Sequence, residues 1–569
     1  MDQEERVEAN REMIVDAQER GLGATLAAYT RLSGPGWLAS AITLGGGSLA
    51  GALFLGVLGG TSLLWLQLVA ITMGVVMLSA ISYVTLSTGE RPFQALNKHI
   101  NPVLGWGWLV ATITANMIWC MPQFSLCYEA LQKNLIGGPV NETIPAKMTV
   151  SAILLGASLV AVWMSSGKGK AAKLFDLFLK ALVGLIVICF FGVVIYLHSK
   201  GQLNWANIRS GFVPNIEQWT KPTGDVAALL ATLPDSLADY WSSIVVKEQR
   251  SVMIGAAAAA VGINMTFLLP YTMLSRGWDR PFRGLATFDL STGMAIPYVA
   301  VTSCVVIAAA ATFHAKCDDA FLSSDPAVMA TSPLYGGAQK IMTARIAHEV
   351  GEDAAATLSP EDLATKFAAL PEAEKRVVSS LVKRNAFQLS KALSPLLGDK
   401  VANTIFGIGV LGMGFSSIII LMMINGYAFC ELFGLPQGGI PHMLGCLVAG
   451  LSGAVWFYVW DGPAKLWLAI LTSSFGMMLL PIAYVAFFMM MNSRSLMGEH
   501  KPTGLRMLVW NVLMALSVAG AIIAAAFAVY DKAGHPVAGK AVIGIGSVYL
   551  ILVVLGFVLM RMRNAPAES

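Results

Sequence analysis

Residues 32–89 read LSGPGWLASAITLGGGSLAGALFLGVLGGTSLLWLQLVAITMGVVMLSAISYVTLSTG, without one Asp, Glu, Lys or Arg. A helix crossing the hydrocarbon core of a bilayer needs about 20 apolar residues. The stretch therefore holds two spans, with a tight turn at Gly59-Gly60-Thr61. Only helices and closed barrels satisfy every backbone group in lipid, and runs this long and continuous are helices.

Outward from this stretch the same pattern recurs. Charge-poor runs near 35–58, 62–87, 102–128, 148–166, 174–197, 251–274, 284–313, 401–430, 439–460, 464–491, 507–530 and 541–560 predict an all-α membrane protein of about 12 transmembrane helices. The composition agrees: the chain is 56% hydrophobic and 13% charged, against about 25% charged for a soluble domain. A net charge of +4 with both signs interspersed argues against a nucleic-acid partner and leaves the lipid bilayer as the expected one. The seven cysteines include no C-x-x-C pair, so neither a disulfide framework nor a zinc site is expected. Residues 1–28 are polar and acidic and lack the apolar core of a cleavable signal peptide.

Loop charges set the expected orientation. Arg91, Lys98, Lys168, Lys170, Lys173, Arg276, Arg280, Arg283, Arg494, Lys501 and Arg506 fall on one side, with Arg561 and Arg563 in the tail. The short loops of the other side hold only Lys133, Lys147, Lys465, Lys532 and Lys540. The positive-inside rule then predicts both termini in the cytoplasm, with the chain in the plasma (inner) membrane. Residues 201–250 read as an external connection. Residues 314–400 read as an external helical insertion, with Ser359 as an N-cap before Pro360, Glu361 and Asp362. Loops tolerate insertions, so this one is expected to be dispensable. Of the ionisable groups in the spans, Asp176 and Lys180 have the spacing of an ordinary i,i+4 pair, and Glu129 and Glu431 end spans. Asp289 is the strongest candidate for a functional intramembrane acid.

Five stretches resemble the Nramp family of metal-ion transporters. They are Gly34-Pro-Gly-Trp-Leu-Ala-Ser40, Leu393-Ser-Pro-Leu-Leu-Gly398, Gly412-Met-Gly-Phe-Ser-Ser417, Leu471-Thr-Ser-Ser-Phe-Gly-Met-Met-Leu-Leu-Pro481 and Ser493-Arg-Ser-Leu-Met-Gly-Glu499, in the family's order. The likeness covers residues 34–312 and 390–530. It implies a LeuT-like 5+5 inverted repeat with helices 1 and 6 broken near the midplane. The chain then divides into a cytoplasmic segment 1–30, a first repeat 31–200, the connection 201–250, a second repeat 251–491 and a final pair of spans with the tail, 492–569. The residues support this independently. Gly45-Gly46-Gly47 interrupts span one, and Asn264 and Pro270 interrupt span six, predicting breaks at 44–48 and 264–270. Gly47-x-x-x-Gly51 is also a helix-packing spacing.

Matching motif to motif shows what is replaced. The resemblance places the family's metal-binding Asp and Asn of the first break on Gly45 and Ser48, and its Met and His of the sixth helix on Thr266 and Leu268. A second His falls on Met273, the proton-relaying acidic pair on Asn116 and Trp119, and two glutamines on Phe415 and Ser473. Gly45, Gly46, Gly47, Ser48, Thr266, Phe267, Phe415 and Ser473 are thus the expected substrate site. It has hydroxyls and backbone groups but no fixed negative charge, and no thioether unless Met265 takes the place of Thr266 by a shift of register. A divalent cation is costly to dehydrate at such a site. Ser416 and Ser417 are a candidate sodium site, since an uncharged oxygen cage suffices for a monovalent coupling ion. No metal ligands or other cofactors are expected. No nucleophile–base pair lies in the spans, which predicts a transporter and not an enzyme. Family resemblance implies divalent metal transport by alternating access. The replaced residues tilt the expectation towards a small neutral or anionic organic solute, with a divalent metal cation (manganese, iron or magnesium) held by non-standard ligands as the alternative.

Overall fold

The computed structural model describes residues 3–33, 43–137, 140–165, 170–460, 462, 465–534 and 538–564. The motif from Gly34 to Ser40 lies outside them, as do the side chains of Asp176 and Lys180. Every described element is helical. Among the described residues nine helical runs are long and apolar enough to cross a membrane, and three shorter apolar helices, Gly46–Gly59, Val187–Ser199 and Gly439–Ala454, fill the first, fifth and ninth positions. Together they occupy all twelve expected spans.

Span one (Gly46–Gly59) is buried along almost its whole length and packs against span six and span seven, whose long helix is Ile296–Phe313. Span three (Pro102–Glu129) packs against spans eight (Asp399–Leu432), nine (Gly439–Ala454) and ten (Trp467–Asn492). Span twelve (Ala538–Asn564) is peripheral, and Ile545, Leu550, Val554 and Leu559 point away from the protein. Lipid tails are as apolar as these side chains, so the exposure costs nothing in a bilayer.

Span six is broken, but not where the sequence predicts. Its helices are Asp235–Ala260 and Ile263–Ser275, separated by two extended residues, Val261 (φ −144°, ψ 102°) and Gly262 (φ −87°, ψ 167°). The expected window 264–270 is helical, and Pro270 sits inside the second helix. Glycine decides the position instead: a Cβ on Gly262 would lie 2.0 Å from Cη2 of Trp119. Span six also begins well before residue 251, because Lys247, Glu248 and Arg250 ride on its helix beyond the apolar part, where Glu248 pairs with Lys383 and Arg250 with Asp531. In span one, Gly45 is extended (φ −79°, ψ −176°) and caps the helix starting at Gly46. The two spans touch: Ser48 Oγ donates to the Ala259 carbonyl at 3.0 Å, and a Cβ on Gly51 would meet Ala256 Cα at 3.1 Å.

Ion pairs tie loops that the alternating topology places on one side. Arg91 pairs with Glu431 at 3.1 Å and Arg11 with Asp279 at 2.9 Å on one face; Lys465 pairs with Glu142 at 3.0 Å and Arg250 with Asp531 at 3.3 Å on the other. Asp289, expected as a functional acid, accepts from Ser33 Oγ and so fastens the start of span seven to the N-terminal segment.

Residues 314–400 are helical as expected, but they are no detachable ornament. Phe321, Met342, Ile346, Phe367 and Val378 belong to the same buried apolar cluster as Leu53, Phe54 and Val57 of span one. Fully buried Glu374 accepts from Trp241 Nε1 of span six (2.8 Å) and pairs with Arg345 Nε (2.6 Å). The apolar residues of this segment lack the long charge-free runs of a span, so sequence reading sees a soluble insertion and misses its docked face.

Candidate functional site

The two-residue break leaves the last carbonyls of the first half of span six without intrahelical donors. Beside it lies a cavity of about 40 Å³. Span one contributes Gly47 and Ser48 to its wall, and span six Ala258, Ala259, Gly262, Asn264 and Met265. Span three contributes Trp119, Pro122 and Gln123, span eight Ser417 and Leu421, and span ten Ala469, Thr472 and Ser473. Trp119 is fixed by its Nε1–H, which donates to the Thr472 carbonyl at 2.8 Å. Asn264 Oδ1 accepts from the Met265 amide at 2.8 Å, capping the second half-helix from inside. Met265 Sδ accepts from Thr43 Oγ1 at 3.4 Å.

Of the residues expected at the site, the structure brings together Gly47, Ser48, Ser473 and Ser417. Gly45 and Gly46 adjoin them: Gly45 caps the half-helix, and Gly46 faces span three so closely that a Cβ would lie 2.8 Å from Gln123 Oε1. Thr266 is elsewhere, its Oγ1 accepting from Trp108 Nε1 at 2.9 Å and donating to the Ile263 carbonyl. Phe267 stacks on Tyr271 with ring centroids 4.4 Å apart, and lies 4.8 Å from the Trp108 ring. Phe415 is half-buried in the apolar cluster of spans three, four, eight and nine. Ser416 is fully buried outside the cavity wall, and both serines of the candidate sodium pair donate to the Met413 carbonyl. With the break at Val261-Gly262, it is Asn264 and Met265 that face the cavity, and Thr266 and Phe267 point to the aromatic cluster around Trp108.

Sequence reading missed Gln123. Its Oε1 is buried and has no hydrogen-bond partner among the described residues, a state that costs about 1–3 kcal/mol unless a ligand or water relieves it. The signal was present as a carboxamide next to Pro122 inside an apolar span. Both amide atoms of fully buried Asn116, two helical turns away on the same span, are likewise unpartnered. Among the described residues no three His, Cys, Asp or Glu side chains gather where they could hold a metal ion. The cavity offers neutral oxygens and one thioether.

The sequence profile of the family described as "Natural resistance-associated macrophage protein-like" matches residues 36–345 and 367–530, most of the chain. The protein belongs to the Nramp family. Comparison with curated proteins gave no significant match. Solved structures of the manganese transporter of Eremococcus coleocola are similar to this Nramp protein. Two of its substituted forms are 13% identical, with 94% of each chain covered and a TM-score of 0.60. Its complex with an aromatic bis-isothiourea substituted compound is 14% identical, covering 95% of this chain and 94% of that chain, again with a TM-score of 0.60. At such identity the likeness is one of fold. It supports the LeuT-like helical membrane architecture, with family membership making the protein an integral-membrane transporter and not an enzyme.

Proposed function

We propose that this Nramp protein carries a metal ion across the membrane by alternating access around the cavity between the two half-helices. The observation that carries the reading is the cavity itself. At about 40 Å³ it holds a few water-sized groups, since one water needs about 10–15 Å³ of such space. Pockets for organic ligands run to about 300–1,000 Å³. The expected tilt towards an organic solute is therefore set aside for the metal-ion alternative, which the family and the manganese transporters of the same fold also favour. Within the cavity Met265 supplies the soft donor that favours manganese or iron over magnesium and calcium. Gln123 Oε1, the Asn264 carboxamide, the hydroxyls of Ser48, Ser417 and Ser473 and the carbonyls at the break that lack intrahelical donors supply oxygens. The negative end of the first half-helix's dipole points at the same place. Lacking a carboxylate, the site neutralises none of the ion's charge, so affinity is weak by the standard of carboxylate sites.

A second reading, a small neutral or anionic organic solute, is favoured by one feature only: no Asp, Glu or His lines the cavity. Uptake by proteoliposomes separates the two. Saturable uptake of manganese, reduced in Met265→Ala and Gln123→Ala, supports the metal reading. Uptake of an organic or amino acid with none of manganese, iron(II) or magnesium would replace it. The division into repeats 31–200 and 251–491, the cytoplasmic termini and the plasma membrane are part of the same proposal, resting on the loop charges and on the break of span six.

A further inference from the structure

Where span seven ends and the insertion begins, a second cavity of about 220 Å³ lies between them, lined by Phe313, Lys316, Asp318, Arg384, Gln388 and Lys391 among others. Arg384 is only 2% exposed, yet its guanidinium pairs with no carboxylate among the described residues. Its contacts there are one long hydrogen bond to the Val382 carbonyl, 3.5 Å, and the Phe313 ring, 5.1 Å from Cζ. The neighbouring acid is already committed: Asp318 Oδ1 accepts from the Phe321 amide at 3.1 Å and Oδ2 from Ser332 Oγ at 2.8 Å. Gln388 is committed too, its Nε2 donating to the Pro333 carbonyl at 2.6 Å and its Oε1 accepting from the Asn385 amide at 2.9 Å. Lys316 donates to the Ala311 carbonyl at 2.6 Å, while Lys391 makes no side-chain bond among the described residues. Three cations thus border one cavity with a single carboxylate, one oxygen of which caps a helix while the other accepts from Ser332.

A buried, unpaired guanidinium is strongly destabilising unless an anion joins it. Burial pushes the Arg384 guanidinium down to about 10, as befits a cation short of a partner. A guanidinium fork with flanking ammonium groups suits a tetrahedral oxyanion, since the fork binds two oxygens and each ammonium acts as a point charge. We propose that this cavity binds a phosphate group, held by Arg384 with Lys316 and Lys391. Its place at the end of a span makes two sources of that group available, free inorganic phosphate and the headgroup of an anionic phospholipid.

The test uses the full-length protein in a neutral detergent and in nanodiscs. Titration calorimetry measures inorganic phosphate, and native mass spectrometry counts phosphatidylglycerol retained over phosphatidylcholine. The expected result is that one of the two binds, and that Lys316→Gln with Lys391→Gln weakens it at least tenfold. Those lysines are exposed, so the double variant keeps its fold even where Arg384→Gln does not. Phosphate heat identifies the free anion; retained phosphatidylglycerol without phosphate heat identifies the lipid. If neither binds, or binding is unchanged in the double variant, the site is refuted. Manganese uptake is not a readout here, so failure leaves the transport reading untouched.

Discussion

Gly46 and Gly47 are neighbours in sequence with opposite tolerances. A Cβ on Gly46 would stand 2.6 Å from Leu126 Cδ1 and 2.8 Å from Gln123 Oε1, whereas on Gly47 it would meet only Ala259 Cβ at an ordinary 3.9 Å. Neither needs a left-handed backbone, since both are helical with negative φ. Gly46→Val should therefore lower both the melting temperature and uptake, by pushing the Gln123 carboxamide out of the cavity wall, at a cost of about 1–3 kcal/mol for overpacking. Gly47→Ala should melt within about 0.5 kcal/mol of the parent. Melting in detergent, read beside uptake, checks both; a Gly46→Val protein that transports normally contradicts the placement of Gln123. At this scale the sequence was half legible. Ser48 and Ser473 line the cavity as their motif spacing predicts, because that spacing carries across long apolar helices. Motif spacing points to Thr266 where Met265 lines the cavity, because a one-residue difference at an irregular break leaves no periodic signal.

A break in span six is expected from the sequence and found, displaced to Val261-Gly262, and the reason is chemical: glycine is the residue that gives up helix for close approach. The residues before Thr43 that would form the other half of span one lie outside the described ones. Proline misled, since Pro270 is accommodated within Ile263–Ser275, as membrane helices allow. Gly262→Ala should abolish uptake, for its methyl group would strike the Trp119 ring, 2.0 Å away, and that indole is held by its bond to the Thr472 carbonyl. The docked face of the insertion is the larger feature that the sequence hides. Glu374→Ala would leave Trp241 Nε1 and Arg345 Nε without their acceptor, Arg345 keeping only its pair with Glu349 at 2.8 Å, and should destabilise by about 1–3 kcal/mol. Deleting residues 320–385 should leave no detergent-stable protein. His314 gives this region a pH dependence. Its Nε2 accepts from the Asp225 amide at 2.9 Å, and its Nδ1 lies 3.1 Å from the Val57 carbonyl, joining span one to the connection. Burial, with Lys316 nearby, holds its pKa below the usual 6.5 against the pull of the Val57 carbonyl and Asp225. The unfolded chain then takes up the proton first, so the stabilisation is complete above about 6.5 and lost as pH falls below it. Melting temperatures measured from pH 8 to 5 should fall on the acid side, and the fall should shrink in His314→Gln.

The whole molecule is an Nramp scaffold around the cavity that we propose takes a metal ion. The scaffold was legible because apolar length and loop charge are written in long runs. The cargo was not, because the donors now at the cavity are carboxamides, hydroxyls, carbonyls and one thioether, all of which also serve as ordinary packing groups. With Asn116 and Trp119 where the resemblance puts a proton-relaying pair, manganese entry should not acidify the lumen. The measurement that tests the central claim most directly is manganese uptake into proteoliposomes, with magnesium and a panel of amino and organic acids as competitors and a pH dye inside. The account predicts saturable manganese uptake without a pH change, insensitive to the organic acids, and a loss of preference for manganese over magnesium in Met265→Ala. Uptake of an organic solute in place of manganese, or manganese uptake unchanged by Met265→Ala and Gln123→Ala together, would contradict it.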